Sequence, residues 1–151
     1  MPSSLTTYKK KRVFSKTPEP KGKIKKSKNK LIFVIHRHAA RNLHFDLRLE
    51  MNGVLASWAV PKEPPKAKGI KRLAVQVEDH PLQYAKFHGI IPEGNYGAGT
   101  VSIWDKGTYE IFEKTFKKIL FALHGKKLTG RYVLVKTGYG GKKSGWLWFM
   151  V

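Results

Sequence analysis

The chain has 151 residues, no cysteine, 41% hydrophobic residues and a formal net charge of +20 at pH 7. This length suits one domain with its own core, and the lack of cysteine excludes disulfides and thiolate metal sites. The sequence shows no signal peptide and no apolar run long enough to cross a membrane, while so large a positive charge indicates a polyanionic partner, with nucleic acid ahead of an anionic membrane surface. We therefore expect a monomeric cytoplasmic protein that binds nucleic acid and no membrane.

The N-terminal segment is the most basic part of the chain. Residues 1–30 contain eleven Lys or Arg and a single acid, Glu19. The stretch KGKIKKSKNK (Lys21–Lys30) has one apolar residue, so it cannot bury enough surface to offset the entropy of ordering it. We expect residues 1–29 to be a flexible basic arm, or in the plainer alternative a solvated tail, and residues 30–151 to form the folded domain.

The body of the chain begins at Leu31 and is typical of short strands separated by Gly, Pro and Asn turns. LHFDLRLE (Leu43–Glu50) alternates strictly between polar and apolar residues, and the turn MNG leads into VLASWAVP (Val54–Pro61). This pattern predicts a hairpin. RLAVQVE (Arg72–Glu78) alternates again and predicts a further strand.

The C-terminal half continues the strand pattern. GTVSIWDKGTYEIF (Gly99–Phe112) predicts two strands around a DKG turn, ILFALHGKKLTGRYVLVK (Ile119–Lys136) predicts a hairpin, and GWLWFMV (Gly145–Val151) predicts a last strand. Helical periodicity is weak, and residues Ile111–Lys118 are the best place for a short helix. Many short strands in one small domain favour a sandwich or a closed barrel.

Polar side chains share one face of the first alternating strand. Residues two apart in a strand lie on the same side, which places His44, Asp46 and Arg48 together. His38 lies six residues before His44, and a loop across AARN could fold it back toward them. Two imidazoles and a carboxylate form the donor set of a catalytic divalent-metal site, although a solvent-facing sheet surface would show the same alternation. His36 shares the parity of His38, and we interpret it as a surface histidine.

A second polar face follows along the chain. Arg72, Gln76 and Glu78 alternate with apolar residues, and His80 lies just past the predicted strand end. A His–Asp–Arg face beside an Arg–Glu–His face resembles a phosphate site, where a metal polarises one oxygen and guanidinium groups bind the others. The glycine-rich IPEGNYGAGT (Ile91–Thr100) could also cradle a phosphate, but it lacks the ending of a P-loop and equally predicts a tight turn.

Longer motifs resemble a known family. They are HAARNLHFDLRLEMNGVLASWAVPK, KRLAVQVEDHPLQYAKFHGIIPEGNYGAGTVSIWDKGTYE, and LHGKKLTGRYVLVK followed by WLWF. They resemble the 3′-phosphoesterase domain of the bacterial end-joining DNA ligase D, and KRVFSKTPEP in the arm extends the resemblance over nearly the whole chain. The resemblance implies a mainly β fold, a compact closed β-barrel of short antiparallel strands with little helix. It also implies a manganese-dependent enzyme that removes a 3′-terminal ribonucleoside and then the 3′-phosphate, leaving a ligatable 3′-OH.

The same resemblance implies roles for individual residues. The metal ligands would be His38, His44 and Asp46. Contacts to the scissile phosphate would come from Arg48, Arg72, His80 and Tyr84. Positions tied to removal of the 3′-phosphate are Arg12, Glu19 and Glu78.

Two positions depart from the family pattern, and both bear on the phosphomonoesterase step. Val13 stands where the family usually has an acid, and His36 stands where it often has Gln. Family members are usually fused to ligase and polymerase domains. We therefore expect a freestanding protein that acts on 3′ ends of DNA or RNA–DNA primer–templates, with a separate DNA ligase and other end-joining proteins as partners.

Two other functions fit parts of the sequence. A non-haem Fe(II) oxygenase also uses two His and one carboxylate, although the arginines and the net charge argue against it. A non-catalytic DNA-end-binding module could stack bases on aromatic side chains such as Trp58, Trp104 and Tyr96.

Overall fold

A computed structural model describes residues 5–22, 30–138 and 144–151. Within these ranges the chain forms one α-helix, one 3₁₀ helix and nine strands. The helices are α1 (Thr6–Lys10) and the 3₁₀ helix Leu82–Lys86. The strands are β1 (Leu31–Ala39), β2 (Leu43–Met51), β3 (Val54–Val60), β4 (Lys71–Pro81), β5 (Gly89–Ile91), β6 (Gly99–Lys114), β7 (Lys118–His124), β8 (Thr129–Lys136) and β9 (Gly145–Met150). Among the described residues, no helix combines the length and the hydropathy needed to cross a membrane.

Eight of the strands close into an antiparallel barrel. Their order around the barrel is β1–β2–β3–β4–β9–β8–β7–β6, and β6 also pairs with β1, while β5 adds to the free side of β6. Closure leaves no edge within the eight-stranded ring, which removes the need to protect exposed strand edges there. The predicted closed barrel with little helix is therefore confirmed.

The turn between β2 and β3 is the hairpin that the sequence predicts. Asn52 and Gly53 both have positive φ, 53° and 81°. Positive φ at both central residues matches the right-handed twist of the flanking strands, and Asn-Gly adopts it with little strain. The hairpin register places Arg48 opposite Ser57 and Asp46 opposite Ala59.

The predicted DKG turn within residues 99–112 is wrong, because β6 is one strand of 16 residues. Its first part pairs with β1 and its second part with β7. The Asp105 carboxylate accepts hydrogen bonds from the backbone N–H groups of Lys106, Lys126, Lys127 and Leu128, so it organises the β7–β8 turn. Gly107 permits the close approach of β7, since a Cβ there would lie 2.1 Å from the carbonyl oxygen of His124.

The short helix expected at Ile111–Lys118 is likewise wrong, because these residues end β6 and begin β7.

Alternate side chains of each strand point into the barrel and fill it. The interior core includes Leu47 and Leu49 from β2, Trp58 from β3 and Trp148 from β9. A second apolar cluster lies outside the barrel wall. Its buried members are Tyr8, Val34, Leu55, Tyr84 and Ala85. The second cluster joins α1 and the 3₁₀ helix to the outer faces of β1 and β3.

The arm differs from the flexible segment that the composition predicts, over the part that the structure describes. Leu5 and Tyr8 are both 0% exposed. Tyr8 also donates a hydrogen bond to the Pro20 carbonyl, which holds the end of the segment close to α1. The physical reason is that the apolar side chains precede the lysine-rich stretch and can be buried independently of it. The lysine-rich part, residues 23–29, lies outside the described residues.

The docked segment should depend on Tyr8. Truncating a buried aromatic side chain costs about 3–5 kcal/mol, so Tyr8→Ala should release residues 5–22 from the barrel wall. Hydrogen–deuterium exchange should then show faster exchange at the amides of Lys9 and Lys11, with unchanged protection in β7 and β8. Thr7→Ala is the matched control because Thr7 is exposed in the same helix. Equal protection of the arm in wild type and Tyr8→Ala would show that other contacts hold it.

Candidate active site on the outer wall of the barrel

A cavity of about 300 Å³ lies against the outer wall of β1–β4. Cross-strand partners share a face of the sheet. The register pairs His38 with His44 and His36 with Asp46, so these side chains face outward together. The strand β1 itself brings His38 to this place, rather than a loop that folds back. The arm, the 3₁₀ helix and the β5–β6 loop complete the cavity, through Arg12, Tyr84 and Tyr96 respectively.

Three possible metal ligands converge in this cavity. One ligand atom from each of His38, His44 and Asp46 lies within 4.8 Å of the others. Asp46 Oδ2 is 3.6 Å from His38 Nδ1, and Asp46 Oδ1 is 3.3 Å from His44 Nε2. The two imidazole centroids are 4.7 Å apart. This spacing allows one divalent ion to contact all three side chains after small adjustments.

Backbone carbonyls orient both imidazoles toward the common centre. His38 Nε2 donates a hydrogen bond to the Gly97 carbonyl at 2.7 Å, and His44 Nδ1 donates to the Asn42 carbonyl at 3.1 Å. A carbonyl oxygen can only accept, so the other ring nitrogen of each neutral histidine carries the free lone pair. Those nitrogens are the ones that face Asp46. Metal-binding histidines commonly have this kind of outer hydrogen bond, which fixes the tautomer and the ring orientation.

Arg48 is buried beside the three donors and has a hydrogen-bond partner at each nitrogen. Its Nε donates to His36 Nδ1 at 3.1 Å, Nη1 to Ser57 Oγ at 2.9 Å and Nη2 to Asp46 Oδ2 at 3.3 Å. The guanidinium carbon also lies 4.8 Å from the centre of the Tyr84 ring. These contacts hold a positive charge at the floor of the cavity, within reach of anything bound by the donors.

The local charges set the ionisation state of Asp46. Burial alone would raise the pKa of Asp46, but the positive charge of Arg48 outweighs burial and lowers the pKa well below its usual range. The carboxylate is therefore ionised, as metal ligation requires.

His36 is buried under Arg48, so its interpretation as a surface histidine is wrong. It is 0% exposed, and its Nε2 donates to the Phe87 carbonyl at 3.0 Å. Burial, together with the positive charge of Arg48, lowers the pKa of His36 to about 3. The ring is therefore neutral at physiological pH.

His80, from β4, also lines the cavity. Its Nδ1 donates to the Glu78 carbonyl at 3.0 Å, and Arg12 Nη2 lies 3.3 Å from its Nε2. Burial, with the positive charges of Arg48 and Arg12, holds the pKa of His80 well below the usual value. His80 is thus neutral, and its Nε2 offers a lone pair toward Arg12.

The arm brings Arg12 and Glu19 into the site as the family motifs imply. Arg12 Nε donates to Glu19 Oε2 at 2.8 Å, and Nη1 donates to Glu78 Oε2 at 3.4 Å. Glu19 also accepts from the Tyr84 hydroxyl at 2.7 Å and from the Thr17 hydroxyl at 3.0 Å. Burial raises the pKa of Tyr84, so its hydroxyl stays a donor. The docked arm therefore forms one wall of the cavity.

Arg72 is not brought to this site. Its Nε donates to the Glu63 carbonyl at 2.7 Å, in a surface depression that it shares with Lys62 and Lys71. The cause is the orientation of β4. Ala74 faces the barrel interior, and Arg72, two residues earlier, lies on the same face of the strand and not on the outer face that carries the site. The predicted apolar and polar faces of β4 are therefore reversed.

A bulge in β4 then brings Glu78 and His80 to the cavity. Ser57 of β3 pairs with Val77, but Leu55, two residues earlier, pairs with His80, three residues later. The extra residue in β4 changes which parity faces outward. Glu78 and His80 thereby lie on the site side, although Arg72 shares their even numbering.

Sequence reasoning missed two residues that complete the site, Ser57 and Tyr8, which contact Arg48 and Arg12 respectively. It named Tyr96 only as a possible base-stacking residue, whereas the Tyr96 ring lies beside Arg12. The hairpin register could have indicated Ser57, because the predicted MNG turn places it opposite Arg48. No sequence pattern indicated Tyr8, since its contact with Arg12 depends on how the arm docks.

The molecule is a mainly β barrel that carries a His₂Asp donor set and a buried arginine on its outer wall. Comparison with known proteins identifies the family to which such a barrel belongs. The model of the DNA ligase D 3′-phosphoesterase domain matches residues 36–136. The chain belongs to this family. The matched range contains the three donor residues, Arg48 and His80.

Named relatives agree with the family model. The chain is 50% identical over 157 aligned residues to the multifunctional non-homologous end joining protein LigD of Pseudomonas aeruginosa, covering 97% of this chain and 18% of that protein. It is 48% identical over 155 residues to the protein of the same name from Mycolicibacterium smegmatis, covering 95% of this chain and 20% of that protein. The chain therefore spans about a fifth of the length of these curated relatives.

Binding of Mn²⁺ should require all three donors. Replacement of His38, His44 or Asp46 by Ala removes a direct ligand, so each variant should weaken binding by more than the roughly 10- to 100-fold that loss of an outer hydrogen-bond partner costs. Isothermal titration with MnCl₂ measures the effect on folded protein. His124→Ala is the control, since His124 is an exposed histidine on β7. Wild-type affinity in any of the three variants would remove that residue from the predicted ligand set.

Proposed function

We propose that this protein removes a 3′-terminal ribonucleoside from a DNA or RNA–DNA primer strand and then hydrolyses the remaining 3′-phosphate, leaving a ligatable 3′-OH. Membership of the family supports a role in processing DNA ends, because the family is described as a 3′-phosphoesterase domain and the relatives are named as non-homologous end joining proteins. The observation that carries the finer proposal is the convergence of three donors and Arg48 on one cavity.

The donor set fits a divalent cation, and we propose Mn²⁺ as the cofactor. Two neutral imidazoles and one carboxylate provide nitrogen and oxygen ligands with a total charge of −1, so a divalent ion would keep a net positive charge toward an incoming phosphate. When bound, the ion would polarise a phosphoryl oxygen and offset the negative charge that develops in the transition state. His38, His44 and Asp46 would hold it.

Arg48 would bind the other phosphate oxygens. A guanidinium has five N–H groups, and the contacts with His36, Ser57 and Asp46 use three of them. The two further N–H groups could donate to a phosphate bound at the donors. Because the guanidinium is held before substrate arrives, little reorganisation is needed as charge develops.

Water is the proposed nucleophile, and His80 is the proposed proton-transferring or charge-stabilising group. In the neutral tautomer, Nε2 of His80 accepts rather than donates a hydrogen bond. A role as general acid toward the leaving O5′ therefore requires that His80 first take up a proton, which an anionic phosphate beside it would favour. Tyr84, whose ring is in edge contact with His80 at 4.7 Å between centroids, would fix the position of the imidazole.

The phosphomonoesterase step would depend more on the arm. A terminal 3′-phosphate carries more negative charge than a phosphodiester, so a second cation near Arg48 would favour its binding. Arg12 supplies that cation and is oriented by Glu19 and Glu78. Val13, where the family usually has an acid, is 57% exposed. We therefore propose that Arg12, rather than position 13, governs this step in the present chain.

The proposed partners follow from the charge and from the relatives. A net charge of +20 would attract the phosphate backbone of a primer–template. A DNA ligase and other end-joining proteins would act on the healed end.

One assay tests the proposed function. A primer–template with a 5′-labelled primer and one 3′-terminal ribonucleotide is incubated with the protein, with and without MnCl₂. The expected products appear in order, first a strand shortened by one nucleoside with a 3′-phosphate, then the same strand with a 3′-OH. Omission of Mn²⁺ or replacement of Asp46 by Ala should prevent both.

Other outcomes of the assay would identify the alternative functions. Unchanged DNA that is nevertheless bound, by gel shift under the same conditions, would favour a non-catalytic end-binding module. Oxygen consumption that depends on Fe(II), with unchanged DNA, would favour an oxygenase.

Replacement of Arg48 by Lys should be nearly as damaging as replacement by Ala. A lysine keeps the charge but cannot donate two parallel hydrogen bonds to a phosphate. We expect a loss of about 10²-fold or more in the single-turnover release of the 3′ nucleoside at saturating Mn²⁺, as for other preorganised donors. Arg131→Lys, at an exposed position, is the matched control. A threefold loss of rate corresponds to a change in the activation barrier that is too small for a lost bidentate contact. A rate for Arg48→Lys within about threefold of wild type would therefore show that Arg48 contributes only general electrostatic attraction.

A further inference from the structure

His36 occupies an unusual position, between the proposed phosphate-binding arginine and the backbone of another segment. Its ring is fully buried, and both ring nitrogens have partners. Nδ1 lies 3.1 Å from Arg48 Nε, and Nε2 lies 3.0 Å from the carbonyl oxygen of Phe87, just after the 3₁₀ helix. The edge of the Tyr84 ring packs against it, with centroids 5.5 Å apart.

The chemistry of these partners fixes the tautomer of His36. Arginine can only donate, so Nδ1 must accept. A backbone carbonyl can only accept, so Nε2 must carry the proton. A single arrangement of hydrogens therefore satisfies both contacts, and it is a neutral imidazole with its lone pair directed at Arg48.

The lone pair of His36 Nδ1 restrains the rotation of the Arg48 guanidinium plane, which the other partners of Arg48 leave free. Ser57 and Asp46 bind the two terminal nitrogens, Nη1 and Nη2. The contact at Nε fixes the remaining corner of the planar group, and so sets its rotation about the bond to the aliphatic stem. The orientation of the plane decides where the unused N–H groups point.

We propose that His36 is a positioning residue, which acts through its Nδ1 lone pair to hold the guanidinium plane of Arg48 in the orientation that binds the phosphate of a 3′ end. The proposal rests on the proposed function for the identity of the substrate, but the contact itself is a property of the folded chain. His36 touches no substrate in this scheme. Its effect on the reaction passes entirely through Arg48.

The role requires an acceptor, and this separates it from simple packing. Glutamine at position 36 could accept from Arg48 through Oε1 and donate to Phe87 through its amide nitrogen, so it can replace both contacts. Leucine fills a similar volume and replaces neither. Packing alone would make the leucine variant the better substitute.

The first experiment compares single-turnover rates of nucleoside release. His36→Leu should be about 10²-fold slower than wild type, the scale of loss for a misplaced catalytic group, and His36→Gln should be within about threefold. His124→Leu is the control at an exposed histidine. The effect should appear in the rate at saturating DNA rather than in the DNA concentration required for half-saturation.

A double-mutant cycle tests whether the effect passes through Arg48. In the Arg48→Ala background, His36→Leu should change the residual rate by less than about twofold, because two residues acting as one unit are not additive. A further loss near that seen in the wild-type background would overturn the proposal. So would a leucine variant as active as wild type.

A measurement independent of activity distinguishes failure of this proposal from failure of the proposed function. The ¹⁵N–¹H resonance of the Arg48 Nε–H group, assigned by its absence in Arg48→Lys, should exchange slowly with solvent in wild type and His36→Gln. It should shift and exchange faster in His36→Leu. An unchanged resonance in His36→Leu would refute the positioning contact even if the enzyme had no phosphoesterase activity at all.

Failure of the leucine variant to fold would not remove the test. His36→Asn then takes its place, since its shorter amide cannot reach both partners at once. Circular dichroism and thermal unfolding establish that the compared variants are folded. Rescue by Gln without rescue by Asn supports the proposal, and equal behaviour of the two contradicts it.

Discussion

The burial of Arg48 and Asp46 side by side on the barrel wall is the constraint on which the rest of the site depends. Removing two charges from water is costly, and an incomplete set of partners would leave a large part of that cost uncompensated. Each nitrogen of the arginine accordingly has an acceptor, and the carboxylate lies between two imidazoles. The same partners that stabilise the pair also fix its geometry. Stability and preorganisation therefore have one physical origin here.

The arm repeats this arrangement on the other side of the cavity. Arg12 is buried between Glu19 and Glu78, and its guanidinium lies 4.0 Å from the centre of the Tyr8 ring. Glu78 of β4 forms its ion pairs with Lys11 and Arg12 of the arm, whereas Arg12 and Glu19 pair within the arm itself. Docking of the arm thus couples the apolar contact of Tyr8 to the electrostatics of the cavity. The site is complete only when residues 5–22 lie on the wall.

Sequence patterns predicted those parts of the fold and site that depend on local alternation. The strict period of two in β2 placed Asp46 and Arg48 on one face, and Asn52-Gly53 defined the hairpin that brings Ser57 opposite Arg48. The bulge in β4 could not be predicted in this way, because it depends on pairing with β3 and reverses the parity from which Arg72 was assigned. Docking of the arm and burial of His36 were missed for a related reason. Both depend on surfaces that meet only after the barrel has closed.

Placement of the chemistry outside the barrel has a consequence for how such a domain can change over time. The interior packs around residues such as Leu47 and Trp58, whereas the reactive groups occupy alternate positions on the same strands and face the other way. Adjacent residues of one strand are therefore selected for different properties. The inward-facing residue is selected for side-chain volume, and the outward-facing residue for the position of its polar group. Substitutions at interior positions can therefore change the core packing without altering the polar side chains on the outer face of β1–β4. Substitutions in the arm, by contrast, would alter the lining of the cavity without disturbing the barrel.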